Sequence, residues 1–474
     1  MSTETVTVPR PEAEAEPERT APDMPDPALI RAYADLPVFR PRRDVLLLGN
    51  PYVRPVDAEA LAEVDWTEPV SSAGALGWHA LAAHRLLVNI YETESVILPK
   101  DGLSTAGDFD VFYGPEQRRL RDLVRPGLER YAYGFLDSAV EVSGRWTLDA
   151  LVAHFTECVT EAGAAENAVM RTIEAARNPR DAAATYLIQL ALDGLTEASA
   201  MARNLPGAYG PEQSELFKIF LDEFGYGVYQ SKHSTIFEKL MRSCGLHTDI
   251  HAYWHFYLTG SLVLINYFNY LTEDHTKFFR YCAAVTYMEW IFAQGFAEAG
   301  ETLSKVYGPD ADTHYTDEHA HIDQHHGKMT FENLLQGLAK RHGERVIPEL
   351  VRGIEEIRLL LRLADEEFIE QLRWIDTLDE HRAAGARATA GLDLRSGHLV
   401  ELTEASPFTT RTYDEDRVLV VTDGTVDVHA CGEGEPHRVE TGGVLLVPAG
   451  RLHGVRAPTG PAALRLLRPE HPAR

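Results

Sequence analysis

The sequence predicts a mainly α-helical protein that ends in a small β-barrel. Apolar residues recur every three or four positions from about residue 147 to about residue 380, which is the period of an amphipathic helix. Short alternating or β-branched runs replace this pattern towards the C-terminus. The chain has 474 residues, 45% of them hydrophobic and 25% charged, which suits a globular protein of about three domains.

The N-terminal region combines a polar tail with mixed local patterns. Residues 1–28 are rich in proline, glutamate, threonine and alanine, and we predict a disordered acidic tail there. Within residues 29–140, the sequence favours an extended segment at 45–48 and helices at 75–91 and 115–124. This region is therefore predicted to be mixed but mostly helical.

Residues 141–385 are predicted to form a compact helical bundle with short loops. Glycines and prolines interrupt the helical pattern at 205–207, 210–211, Gly245, 308–309 and Gly327. The most apolar stretch, 257–271, contains Asn266 and Asn269 and is shorter than the ~20 residues that a membrane helix needs. A buried helix is predicted there instead.

The pattern changes at a run of small residues, 383–386, which we interpret as a linker. Strands are predicted beyond it at 398–402, 418–421, 426–429, 444–447 and 464–467. Glycine-containing pairs at 423–424 and 442–443 supply turns. Residues 386–474 are therefore predicted to close into a β-barrel.

Charge and cysteine content exclude several function classes. The chain carries 45 basic and 72 acidic residues, a formal net charge of -27, so binding to nucleic acid or an anionic membrane is not expected. The cysteines are scattered and form no CxxC pair; they are Cys158, Cys244, Cys282 and Cys431. Because the N-terminus also lacks the pattern of a secretory signal, a cytoplasmic protein is expected.

Several ionisable residues fall on apolar helix faces, where burial without a partner is costly. Glu289 is the clearest, because its neighbours at helical spacing are valine and phenylalanine. Glu223, His233 and Glu197 lie on similar faces, although the face of Glu197 also carries Asp193. These side chains therefore require a partner that compensates their charge.

A candidate metal-binding stripe follows as His319-x-x-x-Asp323-x-x-His326. At about 100° per residue, these side chains project from one side of a helix within roughly 60°. Mixed Glu, Asp and His ligands suit iron or manganese better than zinc. Because four carboxylates and three imidazoles exceed the needs of one ion, we predict two ions.

The sequence leaves other interpretations of these residues open. A buried glutamate can pair with arginine or lysine instead of a metal. The histidine-rich segment 314–326 can be a solvated loop, and His321 and His325 are expected to be exposed in either case. A second run has the i, i+4 spacing of a chelating set or of residues that line a pocket; it consists of His247, His251 and His255.

Seven residues occur in an order that resembles the heme-oxygenase-like diiron oxidases and oxygenases. They are Glu197, Glu223, His233, Glu289, His319, Asp323 and His326. The resemblance covers the chain beyond the tail, and it is strongest to the three-domain members that form N-nitrosoureas and to members that form 2-nitroimidazole. It implies an N-terminal dimerisation region at 29–140, a heme-oxygenase-like diiron domain at 141–385 and a cupin at 386–474.

The resemblance also implies the cofactors and partners. Two iron ions that cycle between Fe(II) and Fe(III) are held by the seven residues, and O2 and an external reductant or reductase are consumed. A small nitrogen-containing substrate and a homodimer are expected. Glu223 and His233 are ten residues apart, about 15 Å along a helix, so the intervening Gly225-Tyr226-Gly227 is predicted to break that helix. By the same resemblance, this part of the site orders when iron binds.

The cupin departs from its usual pattern, in which a His-x-His pair, a glutamate and a later histidine hold a metal. The pair is replaced by Thr410 and Thr412, or by Arg411 and Tyr413, and the glutamate by Arg417. His453 matches the later histidine, and His429 and His437 are alternative substitutes, although nothing in their spacing demands that role. A metal-free, structural cupin is therefore predicted.

From these observations we expect a non-heme diiron N-oxygenase of natural-product biosynthesis. Its substrate is a guanidine-like or amine nitrogen, oxidised to an N-hydroxy or nitro product. Examples are 2-aminoimidazole converted to 2-nitroimidazole and hydroxylation of an arginine-derived guanidine. The alternatives are complete N-nitrosourea formation with an active cupin, oxidative C–C cleavage or desaturation, and a non-catalytic sensor of a small ligand or heme.

Overall fold

The computed structural model describes residues 24–42, 45–99, 102, 105–207, 210–390 and 392–469. The predicted tail therefore lies mostly outside the described residues, and the first helix begins within its predicted limits, at Pro27. No helix in the described ranges is both long and apolar enough to cross a membrane.

Helices dominate the N-terminal region. They are α1 (Pro27–Ala34), α2 (Ala58–Glu63), α3 (Trp78–Tyr91), α4 (Ala106–Phe112), α5 (Pro115–Tyr133) and α6 (Leu136–Ala139). Every residue of α3 from Ala80 to Tyr91 is buried, because α3 packs between α5 and a helix of the following bundle. The extended segment predicted at 45–48 is irregular instead of a strand, and its Leu48 amide donates to the carbonyl of Ala252.

The helical block follows as predicted. Its helices are α7 (Leu148–Ala164), α8 (Ala168–Ala175), α9 (Pro179–Gly194), α10 (Pro211–Glu223), α11 (His233–Ser243), α12 (Thr259–Thr272), α13 (Phe278–Tyr307), α14 (His314–Met329), α15 (Gln336–His342), α16 (Ile347–Asp376) and α17 (Leu378–Ala388). The long helix α13 packs against both α14 and α16, and a π-helical turn at Thr330–Leu335 follows α14. The apolar stretch at 257–271 forms α12, which is largely buried.

The break predicted at Gly327 is wrong, because α14 continues through it. Gly327 lies against the backbone of α13, and a Cβ atom added there would be 2.8 Å from the Cα of Trp290. The glycine thus serves close helix packing instead of a turn.

The linker predicted at 383–386 is also wrong, because these residues belong to α17. Alanine is the strongest helix former, so small residues here extend a helix. Gly385 lies against the barrel, where an added Cβ would be 3.0 Å from the backbone nitrogen of Leu446. Helix α17 is therefore a packed support of the barrel.

The C-terminal strands form two antiparallel four-stranded sheets with a shared apolar interior. They are β1 (His398–Leu402), β2 (Thr410–Arg411), β3 (Arg417–Asp423), β4 (Thr425–His429), β5 (His437–Glu440), β6 (Val444–Val447), β7 (His453–Arg456) and β8 (Ala462–Leu467). The sheet orders are β1-β8-β3-β6 and β2-β7-β4-β5. The five predicted strands are present, whereas β2, β5 and β7 were not predicted because they are short and rich in polar residues.

Buried polar contacts join the barrel to the helices. The guanidinium of Arg85 on α3 donates to the carbonyl oxygens of Thr410, at 2.9 Å, and His255, at 3.1 Å. On α16, the amide of Gln371 donates to the carbonyls of Ala430 and Leu452, both at 2.8 Å. The barrel is therefore docked through specific hydrogen bonds as well as apolar contacts.

Candidate metal centre

The seven predicted ligand residues lie on five structural elements. Glu197 is in the turn after α9, Glu223 ends α10 and His233 begins α11. Glu289 is in the middle of α13. His319, Asp323 and His326 share one buried side of α14, as their spacing predicts, while His321 and His325 are exposed. The structure therefore brings a stripe on one helix together with residues from four other elements.

Four of the seven residues form a cluster that we name group A, consisting of Glu197, Glu223, His233 and His319. One potential ligand atom from each lies within 4.8 Å of all the others. Nε2 of His319 is 3.0 Å from Oε1 of Glu197, and Nδ1 of His233 is 2.7 Å from Oε2 of Glu223. Two carboxylates and two imidazoles thus converge on one point.

The other three residues form group B, consisting of Glu289, Asp323 and His326, under the same 4.8 Å limit. Nδ1 of His326 is 3.3 Å from Oε2 of Glu289 and 3.6 Å from Oδ1 of Asp323. Groups A and B adjoin, because His319 and Asp323 are one helical turn apart on α14. The arrangement offers two neighbouring positions for cations.

A left-handed turn brings Glu223 and His233 together. Gly225, Tyr226 and Gly227 have φ values of 57°, 51° and 81°, so the chain leaves α10 and re-enters a helix as α11. This confirms the predicted helix break. Two features of the turn favour glycine at position 225. Its φ is positive, and a Cβ atom added there would be 2.5 Å from the backbone carbon of Ser231.

The donor atoms fit metal ions because several are buried without a hydrogen-bond partner. These atoms are Oε2 of Glu197, Oδ2 of Asp323 and Nδ1 of His326. Among the described residues, the charged contacts of these carboxylates are to histidines, not to lysine or arginine. The alternative of a Glu–Arg or Glu–Lys pair is therefore wrong for this cluster. Buried charges of this kind require cations.

Burial and the charges of the neighbouring carboxylates shift the pKa values of the cluster. Burial lowers the pKa of His319, but the Glu197 and Glu223 carboxylates outweigh burial and raise it to about 10. The pKa of His326 is likewise raised, to about 11, because burial is outweighed by Asp323 and Glu289. Burial raises the pKa of Asp323. Protons thus occupy the positions that cations would take, and metal binding would release them.

A further contact holds the ring of His326. Its Nε2–H donates to Oδ2 of Asp222 at 2.9 Å, which leaves Nδ1 directed at Glu289 and Asp323. A carboxylate behind a metal-bound histidine fixes the tautomer and orientation of its ring. The sequence did not indicate this role for Asp222.

The ring of His319 is held in the same way. Its Nδ1–H donates to the carbonyl of Tyr315 at 2.8 Å, so Nε2 faces Glu197. The hydroxyl of Tyr315 donates to Oε1 of Glu197 at 2.9 Å and fixes that carboxylate as well.

The second histidine run does not form a ligand cluster among the described residues. His251 pairs with Oε2 of Glu92 at 2.7 Å. Burial lowers the pKa of His255 to about 3, and its carbonyl accepts from Arg85. The backbone amide of His247 donates to the hydroxyl of Tyr253. These histidines are structural parts of the fold.

The barrel places other side chains at the usual cupin ligand positions. Thr410 and Thr412 are buried, and Arg411 forms ion pairs with Asp57 and Glu59 of the N-terminal region. Burial lowers the pKa of His453 to about 4, and its Nδ1–H donates to the carbonyl of Arg451. Within the described barrel residues, no three His, Cys, Asp or Glu side chains meet as a ligand cluster.

A cavity of about 280 Å³ opens onto both groups, and Glu197, Glu223, Glu289, His319 and Asp323 form part of its wall. Aromatic side chains form much of the remainder, and they include Tyr186, Phe268, Tyr281, Phe292, Phe296 and Phe368. The cavity has the size and apolar lining of a small-molecule site.

A helical bundle that brings four carboxylates and three histidines together beside such a cavity is typical of a metal-dependent enzyme. Residues 184–361, which include all seven residues, match the family described as iron-containing redox enzyme. The chain is 40% identical over 431 residues to a nitrosourea synthase from Streptomyces achromogenes subsp. streptozoticus, covering 90% of this chain and 91% of that protein. The chain therefore belongs to the heme-oxygenase-like family of iron-containing redox enzymes, and it is an oxidoreductase.

Proposed function

We propose that this protein is a non-heme diiron N-oxygenase of natural-product biosynthesis, which oxidises a guanidine-like or amine nitrogen of a small molecule. The observation that carries the proposal is the pair of adjoining ligand groups whose buried oxygens lack partners. The four carboxylates balance the charge of two Fe(II) ions. Histidine and carboxylate ligands together suit iron.

Groups A and B would each hold one ion. Bound iron would supply the electrons that activate O2, and an external reductant would restore the Fe(II) state in each turnover. The residues behind the ligands fix their orientation: Tyr315 holds Glu197 and His319, and Asp222 holds His326. Phe292 and Phe296 line the cavity next to the ligands and exclude water from it.

The cavity favours a small substrate that approaches the centre through an aromatic and acidic wall. Similarity to a nitrosourea synthase supports oxidation of nitrogen rather than carbon. In our proposal the barrel is structural, because Thr410, Thr412 and Arg417 replace the cupin ligands. The reaction then ends at the N-hydroxy or nitro product and does not continue to an N-nitrosourea. A homodimer and a separate reductase complete the proposed working unit.

Iron content and product mass test this proposal together. The full chain is loaded with Fe(II) without oxygen and its iron is counted, with two ions per chain expected. It is then exposed to O2 and a reductant with a series of guanidines and aminoazoles. Mass spectrometry should show products that gain oxygen on nitrogen. Less than one iron per chain and no oxygenated product would refute the proposal, and a product shortened or desaturated at carbon would favour the C–C cleavage alternative.

A further inference from the structure

A third cluster of potential metal ligands lies outside groups A and B. It consists of His154 and Cys158 on α7 and Glu355 on α16, and one potential ligand atom from each lies within 4.8 Å of the others. His154 and Cys158 are four residues apart, so one face of α7 presents both side chains. The cluster combines an imidazole, a thiol and a carboxylate, whereas groups A and B contain no cysteine.

The three ligand atoms have the spacing of one face of a coordination tetrahedron. Sγ of Cys158 is 3.7 Å from Nε2 of His154 and 3.6 Å from Oε1 of Glu355, and the nitrogen and oxygen atoms are 2.9 Å apart. Ligands that bind one zinc ion tetrahedrally at the usual bond lengths lie about 3.5 Å apart for S–N and S–O and about 3.3 Å apart for N–O. A single ion can therefore contact all three atoms after small side-chain movements.

A cavity of about 370 Å³ opens onto this cluster, and the three residues form part of its wall. A water molecule from the cavity can supply the fourth ligand of a tetrahedral ion. The other charged side chains of the described wall are Glu141, Glu157, Glu161 and Arg358. Together with Glu355, four carboxylates face one guanidinium, so the cavity attracts cations.

Arg358 supports the Glu355 carboxylate without taking the place of a metal ion. Its guanidinium donates to Oε1 of Glu355 and to Oε2 of Glu161, both at 2.8 Å. Carboxylates that bind a metal are usually held by such a second hydrogen bond. The Cys158 thiol and the Glu355 carboxylate raise the pKa of His154 to about 10, so a proton fills the position of an ion in the metal-free chain. A bound ion would replace this proton and the thiol proton of Cys158.

We propose that His154, Cys158 and Glu355 bind a zinc ion, which joins α7 to α16. Thiolate and imidazole ligands together favour zinc, whereas the carboxylates and imidazoles of groups A and B suit iron. The two positive charges of the ion balance the Cys158 thiolate and the Glu355 carboxylate. The site goes beyond the proposed function, because it shares no residue with the iron centre.

Cobalt(II), a spectroscopic substitute for zinc, tests this inference. A cobalt ion bound to a thiolate absorbs by charge transfer from sulfur, and this band reports the proposed site alone because groups A and B contain no cysteine. Titration of the Fe(II)-loaded full chain without oxygen should give the band at one cobalt ion per chain. One equivalent of Zn²⁺ should then remove the band while the iron stays bound. Cys158→Ala should abolish the band and weaken zinc binding by more than about a hundredfold.

Glu355→Gln changes a partly exposed ligand and should weaken zinc binding by more than about tenfold. Its matched control is Glu157→Gln, which removes the same charge from an exposed side chain of the same wall and should change the affinity less than about threefold. Cys244→Ser is the control for loss of a thiol, since Cys244 belongs to none of the ligand clusters that the described residues form, and it should keep the band.

Three results would overturn the inference: a band that persists in Cys158→Ala, zinc that binds only as iron is released, and equal effects of the two glutamate variants. The cobalt band does not depend on iron. A chain that binds no iron would therefore refute the proposed function and leave the zinc site to be judged by its own band.

Discussion

The helical bundle and the barrel both bury polar side chains, but they compensate them differently. In the bundle, Glu197 and Asp323 each bury an oxygen that no described residue hydrogen-bonds. In the barrel, Thr410 at a former ligand position accepts from Arg85 and donates to the carbonyl of His255. The bundle leaves its charges available to ions, whereas the barrel uses this position for attachment to its neighbours.

The way in which buried polar groups are compensated distinguishes the reactive site from its structural support better than fold class does. A cupin-like barrel is a well-known metal scaffold, yet here only His453 keeps a ligand residue, and the other ligand positions carry side chains of different chemistry. The helical bundle has no intrinsic need for seven converging acids and imidazoles. Buried polar side chains without a hydrogen-bond partner therefore identify the reactive region, and buried polar side chains with partners identify the part of the molecule that is structural.

Replacement of a ligand should have the largest effect. His319→Ala removes an imidazole from group A and leaves Glu197 and Glu223 to repel each other. We expect iron to fall from two ions per chain to one or fewer, and product formation to fall by more than about a hundredfold. Iron analysis and a product assay measure both effects. His321→Ala is the matched control on the same helix, because His321 is exposed, and it should leave both values unchanged.

Asp222→Asn should weaken the group B ion without touching its ligands. Loss of the charged acceptor for His326 Nε2–H is expected to lower iron affinity there by about 10–100-fold, while group A is unaffected. Anaerobic Fe(II) titration should then resolve a tight and a weak site. Asp310→Asn, at an exposed position, serves as control. Two unaltered sites in Asp222→Asn would show that Asp222 does not orient the ligand.

Arg85→Met tests whether the barrel is an attached support. The substitution removes the buried donor to the carbonyl and hydroxyl of Thr410 and leaves the carbonyl of His255 with the Thr410 hydroxyl alone, so unfolding should become easier by about 2–4 kcal/mol. Chemical denaturation measures this change. Iron content at low temperature should stay at two per chain. Loss of iron in this folded variant would mean that the barrel contributes to the metal centre.

An acid–histidine pair outside the metal centre allows a test by pH of whether, in the zinc-free chain, a pair with its own cation is structural. His154 and Glu355 lie 2.9 Å apart, but Arg358 also donates to Glu355, so this pair has its own cation. The thiol of Cys158 and the Glu355 carboxylate raise the pKa of His154 to about 10. The stabilisation is therefore complete below the usual histidine pKa and is lost as the pH rises through about 10.

His154→Gln should consequently lower the free energy of unfolding by roughly 1 kcal/mol near pH 6 and by much less above pH 10. Thermal unfolding at both pH values measures the difference, and the iron content should not change. A destabilisation that is equal at the two pH values would contradict a charged pair.

His453→Gln should have the smallest effect. His453 is the one residue of the barrel that matches a cupin ligand position, but burial holds its pKa near 4 and the ring donates to the carbonyl of Arg451. Iron per chain and product identity should remain those of the unmodified protein. A metal content lower than that of the unmodified protein, measured side by side, would show that the barrel binds a metal.

The sequence predicts what depends on local periodicity. The α14 stripe of His319, Asp323 and His326 follows from helical spacing, and the left-handed turn follows from Gly225 and Gly227. Glycine and alanine were misread at Gly327 and 383–386, because a small residue can end a helix or allow another element to approach it closely. Only the tertiary neighbour decides between these two roles.

Residues that act through distant neighbours could not be predicted. Asp222 adjoins a predicted ligand in sequence, but its partner His326 is 104 residues away. Asp193 was noticed only as a polar interruption of an apolar face. Asp193 lines the cavity because several helices build the wall together, and no sequence window contains that information.

The left-handed turn between α10 and α11 also bears on how purified samples behave. Tyr226 adopts φ 51°, which costs a side-chain-bearing residue about 1 kcal/mol, and it is 71% exposed. The segment that carries His233 is thus the easiest part of the centre to open, while group B rests on the close contact of α13 and α14. Brief warming or prolonged dialysis should empty group A first. Samples that were purified differently would then be mixtures of chains with one and with two iron ions. Their measured activity would depend on how they were purified as well as on the intrinsic rate of the enzyme.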